Sequence, residues 1–462
     1  MISSKLLMLV GITLLRSVAV AGAACMIGSL LGELLKTKRA RVFIIGWLLI
    51  PLLMPALVIG YAYADFSLSL IRRPLLNELF YALLLVMRLS PLAAIVLLLA
   101  PRPVSAMGNH CGQLARQMPR KMRIKLYLQG QGRALLITWA ACFIYCFTEF
   151  DIASRMGTRV WVVWVFDTQA GGKPIGQTVI SVLLPILLQL LIAFGALAML
   201  RQPTDHAQPT AHRPIRKAVA WLWSVAAFVG VCVVPGVFVL TGALGAMGSL
   251  LQNGSIHKEL WAGSFFSLTA GTIAVAIALL LRSRSKYVLL PFAAPGLAGS
   301  LVVGLVLLGA FGSSALRPFY DTPLPLLMAL VLVVFPIVLL LAVLLHRHWQ
   351  TPANHLRKLL SHSDRKQHRQ TARSIFIATR FGSLALVWLF ACWLCYVELP
   401  ASALLAPTGM TPAVVRLYNL MHYGRSDTLS AMVLLTYLLP LTLPIAMLVI
   451  GRLFRGAAIA NA

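Results

Sequence analysis

Apolar runs of about 20 residues recur along the whole chain, near residues 8–34, 43–64, 79–100, 134–150, 176–200, 218–241, 262–281, 287–312, 325–345, 381–397 and 429–450. A run of that length matches the roughly 30 Å of hydrocarbon that a helix must cross. Stretches such as Leu92 to Ala100 and Leu326 to Leu345 are apolar on every side, whereas a strand of a membrane barrel would alternate apolar and polar positions. The pattern predicts an all-α protein, a polytopic transmembrane helical bundle of about eleven spans. Two long polar intervals break the series, near 101–133 and 346–380.

Composition agrees with a membrane class: 60% of the 462 residues are apolar and 11% are charged, with mean hydropathy +0.86. The formal charge of +28 could suggest a nucleic-acid partner, but its distribution points to lipid instead. Cations collect in alternate connections: Lys36, Lys38, Arg39 and Arg41; the 101–133 loop; Arg213, Arg216 and Lys217; Arg282, Arg284 and Lys286; the 346–380 loop; and Arg452 with Arg455. The other connections hold most of the acids, including Asp65, Glu78, Asp167, Glu259, Asp321 and Asp427. This is the positive-inside asymmetry, which assigns the basic set to the cytoplasm and places the N-terminus outside and the C-terminus inside. No nucleic acid is expected.

Lys5 before an apolar stretch, with Ala21-Gly22-Ala23-Ala24 behind it, has some character of a signal peptide. The run continues to Leu35 and ends in Lys36-Thr37-Lys38-Arg39, as the cytoplasmic flank of a retained span would. Six of the seven cysteines fall inside predicted spans and only Cys111 in a loop. Cys392 and Cys395 have a CxxC spacing, but on an apolar helix they read as small packing residues rather than a redox or metal pair.

The second half echoes the first. Pro51-Leu-Leu-Met-Pro55 opens one span after a basic turn, and Pro291-Phe-Ala-Ala-Pro295 opens another after Arg282 to Lys286. Cys146-Phe-Thr-Glu149-Phe-Asp-Ile-Ala153 is answered by Cys395-Tyr-Val-Glu398-Leu-Pro-Ala-Ser402, each at the outer end of the span that follows a long basic loop. These matches predict a duplicated transporter core, with a first unit at 1–204 of about five spans, a cytoplasmic linker at 205–217 and a second unit at 218–462 of about six.

In these paired proline-rich spans, and in the acid that ends the span after each long loop, the chain resembles the fused two-unit permeases of type I ATP-binding-cassette importers. That group serves ferric iron, thiamine, polyamines or phosphonates. The tail from Pro407-Thr-Gly-Met-Thr-Pro to Tyr423-Gly424 looks most like its ferric-iron members. The resemblance covers most of the chain and implies a bacterial inner-membrane permease. Its partners would be a cytoplasmic ATPase, as a dimer, and a substrate-binding protein outside, with a small charged solute, ferric iron first, as cargo. In that family each long loop carries a Glu-Ala-Ala…Gly motif that docks on the ATPase. Here the corresponding segments are Gly112-Gln-Leu-Ala-Arg-Gln-Met118 and His355-Leu-Arg-Lys-Leu-Leu-Ser361, without the acid or the downstream glycine, which predicts weakened coupling or an unusual ATPase.

Candidate residues follow. ATPase docking falls to Leu114, Ala115, Arg116 and Met118 in the first loop and to Leu356, Arg357, Leu359 and Leu360 in the second, where apolar positions recur at helical spacing among cations. An interfacial helix on anionic lipid is the competing use of the same pattern. Glu149, Asp151 and Glu398 are the candidate substrate-pathway residues, because an ionised group near a span end is costly unless it faces water, a counter-charge or a pathway. Arg16 and Arg88 also fall inside predicted spans. The histidines at 346, 348, 355, 362 and 368 match no metal-ligand spacing, and no GxxxxGK[ST] run is present, so no cofactor, metal or catalytic residue is expected. A degenerate permease kept as a scaffold or regulatory subunit, and a cation-driven secondary transporter, are the rival functions.

Overall fold

A computed structural model describes residues 4–36, 41–100, 119, 121–122, 132–198, 214–252, 254–282, 284, 286–348, 359–361, 363, 365, 367–368, 370–372, 382–423 and 427–437. Among them every regular element is helical and no strand occurs. The chain divides into two compact units, Met1–Val239 and Leu240–Ala462.

In the first unit, α1 (Ser4–Leu31) is followed by α2 (Arg41–Leu53), α3 (Ala56–Ser69), α4 (Pro74–Leu99), α5 (Arg133–Phe147), α6 (Asp151–Met156), α7 (Trp161–Ala170), α8 (Ile175–Ala198) and α9 (Pro214–Phe228). A π-helical segment, Val229–Val233, leads from α9 into α10 (Val234–Ala243), and the division between the units falls inside α10. The second unit continues with α11 (Met247–Leu251), α12 (Gly254–Leu281), α13 (Lys286–Leu297), α14 (Ser300–Phe311), α15 (Pro323–His348), α16 (Gly382–Tyr396), α17 (Pro400–Leu405), α18 (Ala413–Leu420) and α19 (427–437).

Six helices are long and apolar enough to cross a membrane, and the count reaches eight if each of two bent pairs is one span. The structure accordingly supports a membrane-embedded helical protein with six to eight candidate spans. The expectation of about eleven exceeds this for identifiable reasons. Among the described residues the runs at 134–150 and 381–397 show helices of 15 residues, short of the roughly 20 that cross the hydrocarbon, and both begin at or within one residue of the edge of the described stretch. The run at 429–450 lies mostly outside the described residues.

Both bent pairs have a local cause. In α2, Pro51 has no N–H to give to the helical ladder, and Pro55 heads α3, so α2 and α3 meet at 60°. In the second unit α13 contains Pro291 and Pro295, and Gly299 adopts φ 99 at the start of α14, a conformation open to glycine, so the two helices meet at 107°.

Each unit is built around the same set of packed pairs. In the first, α1 lies against α4 and α5, α4 against α5, α2 against α4, α3 against α6, and α1 against α7. In the second, α12 lies against α15 and α16, α15 against α16, α13 against α15, α14 against α17, and α12 against α18. The short helices α6 and α17 agree in length as well, at 6 residues each. Pro74 and Pro323 head α4 and α15, and Asp151 and Pro400 head α6 and α17, each pair standing 249 residues apart.

Helices in lipid gain little from apolar transfer, so close contact between small residues holds them together. A Cβ on Gly28 of α1 would stand 2.5 Å from the Ala93 Cβ on α4, and one on Gly271 of α12 would stand 2.9 Å from the backbone nitrogen of Cys392 on α16. Those glycines let the paired backbones meet.

Candidate functional site

The expected pathway acids head the two short helices. Glu149 lies between α5 and α6 and is buried. Its Oε1 accepts the Ile152 N–H at 2.6 Å, and its Oε2 accepts the Ala153 N–H at 3.1 Å and the Tyr81 hydroxyl at 2.7 Å. The carboxylate thus caps α6 at its positive end, where a negative charge is favoured. Glu398 holds the matching place before α17: its Oε1 accepts the Ala401 N–H at 3.2 Å, and the Ser300 side chain also bonds to it. Asp151 is the first residue of α6 and is partly buried. Glu149 and Asp151 are therefore brought together at one helix start in the first unit, and Glu398 occupies its own in the second.

Around Glu149 the structure adds Tyr81, which the sequence did not single out, and gives a partner to Arg16, known from sequence only as a cation inside a span. Arg16 on α1 forms an ion pair with Glu78 at 2.7 Å, donates to the Arg159 carbonyl at 3.0 Å, and stands over the Tyr81 ring at 5.1 Å from its centre. Tyr81 is fully buried and links this ion pair to the Glu149 carboxylate. Close by, Ser67 donates to the Met156 carbonyl at 2.6 Å and Asn77 to the same oxygen at 3.1 Å, tying α3 and α4 to the end of α6. The first unit so carries a continuous polar chain, Glu78, Arg16, Tyr81 and Glu149, across α1, α4 and the α5–α6 turn.

Arg88 stands within the electrostatic reach of Glu149 but makes no ion pair with it. It is 6% exposed, donates from Nη2 to the Met54 carbonyl at 3.1 Å, and lies over the Tyr145 ring at 5.2 Å. The second unit has a different polar pairing: Arg416 on α18 bonds Glu259 and, at 3.2 Å, the Ser255 hydroxyl, both on α12. Between α14 and α15, Asp321 accepts the Thr408 hydroxyl and, at 2.7 Å, the Thr408 N–H. These two hydrogen bonds, the hydroxyl's first, hold the exposed Asp321 carboxyl below its ordinary range.

Of the expected docking residues, Leu114, Ala115, Arg116, Met118, Leu356 and Arg357 lie outside the described residues. Leu359 and Leu360 stand in a helical turn, with Leu359 exposed and Leu360 half-buried. Among the described residues no cluster of three or more His, Cys, Asp or Glu is placed to hold a metal ion. Cys392 and Cys395 are both buried in α16 as free thiols.

Glu149 and Glu398 could be found from sequence, since acids are few and these two fall at span ends, where an ionised group is costly. Tyr81 and the partner of Arg16 could not, because the contacting residues are 68 and 62 positions away along the chain. Comparison of the chain with known protein families, with characterised proteins and with solved structures returns no match.

Proposed function

We propose that this chain is the membrane-spanning permease of an ATP-binding-cassette importer, with two repeated permease units fused in one polypeptide of about eleven spans. The observation that carries this reading is the Glu-capped short helix that follows each long basic interval, at Glu149 and Glu398, inside two units whose helices agree in order and packing partners. Two similar bundles, each with a cytoplasmic basic loop, give an ATPase dimer one grip per unit. The charge asymmetry supports a bacterial inner-membrane location with the N-terminus outside and the C-terminus inside.

In this reading a binding protein delivers a small charged solute from outside, ferric iron first, and ATPase closure on the two loops drives alternating access. The chain contains no P-loop, so ATP hydrolysis belongs to a separate subunit. A second reading, a degenerate permease serving as scaffold or regulator, rests on the missing acid and glycine in both loops. Purification from native membranes separates them. The importer predicts an ATPase at two copies per chain and ATP-dependent uptake in proteoliposomes. Isolation without an ATPase and with ion-dependent flux would identify a secondary transporter, and isolation with neither would identify a scaffold.

A further inference from the structure

The break between α2 and α3 differs in charge from its counterpart between α13 and α14. In the second unit the helix after the break begins at Ser300, whose side chain bonds the Glu398 carboxylate. An acid of the protein thereby sits at the positive end of α14. In the first unit the helix after the break begins behind Pro55 with no side-chain cap, and the group placed there is a cation. Arg88 Nη2 donates to the carbonyl of Met54, immediately before Pro55. Its other two nitrogens, Nε and Nη1, are buried without a hydrogen-bond partner. The residue 249 positions further on is Ile337, so the second unit has no guanidinium at that place.

A helix start and a buried guanidinium both favour negative charge, and here they meet. Burial of unmade charged donors is costly, by more than an unmade neutral hydrogen bond. Nearby groups do not discharge the site. Glu149 is the acid whose field reaches Arg88, but its oxygens are taken by Tyr81, Ile152 and Ala153, and Arg88 makes no ion pair among the described residues. Tyr145 meets Arg88 through its ring face and its hydroxyl, a neutral partner that leaves the positive charge uncompensated, and Cys232, in the π-helical segment, also lies in the field of Arg88. A broken membrane helix whose half-helix start faces an anionic group is a recurrent way of holding a charged solute near the bilayer centre.

We propose that the α2–α3 break of the first unit is a binding site for a small oxyanion, a carboxylate or phosphate, gripped by Nε and Nη1 of Arg88 and by the backbone amides at the head of α3. The fork of the guanidinium matches two oxygens of such a group. Resting on the importer reading, this names the cargo as an anionic solute. A bare ferric ion would be repelled there, while ferric iron chelated by carboxylates carries the group that the site takes.

The test uses the full chain in maltoside detergent, in chloride buffer at fixed ionic strength, and needs no ATPase. Its failure would therefore leave the importer reading standing, and absence of an ATPase partner would leave the site standing. Thermal unfolding is followed as sodium phosphate or sodium citrate replaces chloride, and again with phosphatidylglycerol in the micelles. The expected result is a saturable rise in the midpoint with phosphate or citrate in the wild type, its loss in Arg88→Gln, and binding weaker by about tenfold in Arg88→Lys, which keeps the charge but not the fork. No rise in the wild type with either anion overturns the proposal, whether or not the variants fold. An equal rise in Arg88→Gln overturns it too. A rise with phosphatidylglycerol alone, lost in Arg88→Gln, would identify a lipid headgroup and overturn the assignment to a soluble solute.

Discussion

Glu149 has three donors on one buried carboxylate, and the Tyr81 hydroxyl supplies the one that comes from another helix. Tyr81→Phe removes that donor without changing the ring and should lower the stability of the first unit by about 1.5–3 kcal/mol, the range for a hydrogen bond to a charged group; thermal unfolding in detergent reads it. Glu149→Ala should cost more than Glu149→Gln, because the amide side chain still offers an oxygen to the amides of Ile152 and Ala153. Asp321 gives a pH prediction of known sign. Its carboxyl is held low in the folded protein, so the Thr408 contact contributes stability above the unfolded value of about 3.9 and loses it only as pH falls through the lower folded value. Protection of the Asp321 and Thr408 loops against amide exchange should stay level from pH 7 to about pH 5, and Asp321→Asn should reduce it throughout. The sequence made both glutamates conspicuous because acids are so few, twelve in all. It could not show that they cap helices, since the amides they bind acquire direction only when α6 and α17 form.

Helix positions were legible because lipid imposes one rule on every span, that the backbone satisfies itself inside an apolar run. The proline pairs, read from sequence as span openings, sit at both breaks, where each proline removes a donor from the ladder. The bend angles, 60° and 107°, were not legible, since Gly299 adds a positive φ in the second unit where Pro55 occupies the first. Packing between helices was also hidden, because a glycine at a contact reads like a glycine anywhere. Gly271→Leu should force α12 from α16 and destabilise by about 1–3 kcal/mol or more, as overpacking does, because its Cβ would meet Cys392 at 2.7 Å from the sulfur and 2.9 Å from the backbone nitrogen. Gly22→Leu on α1, where a Cβ meets nothing within 4 Å, should leave the unfolding midpoint unchanged.

At the level of the whole chain, two units with the same helix pairs in contact carry two long basic intervals, and the function follows from the side of the membrane on which those intervals lie. An importer needs both on the cytoplasmic face, where an ATPase dimer can hold them. Reading orientation from Lys and Arg placement is a statement about insertion energetics, and one labelling measurement checks it. Cys111 is a native probe in the first interval, and Leu359→Cys, in a variant with Cys111 replaced by serine, places one in the second. A membrane-impermeant maleimide should label both sites in inside-out vesicles and neither in right-side-out vesicles. Labelling of either site from the outer face would contradict a shared cytoplasmic grip and with it the importer.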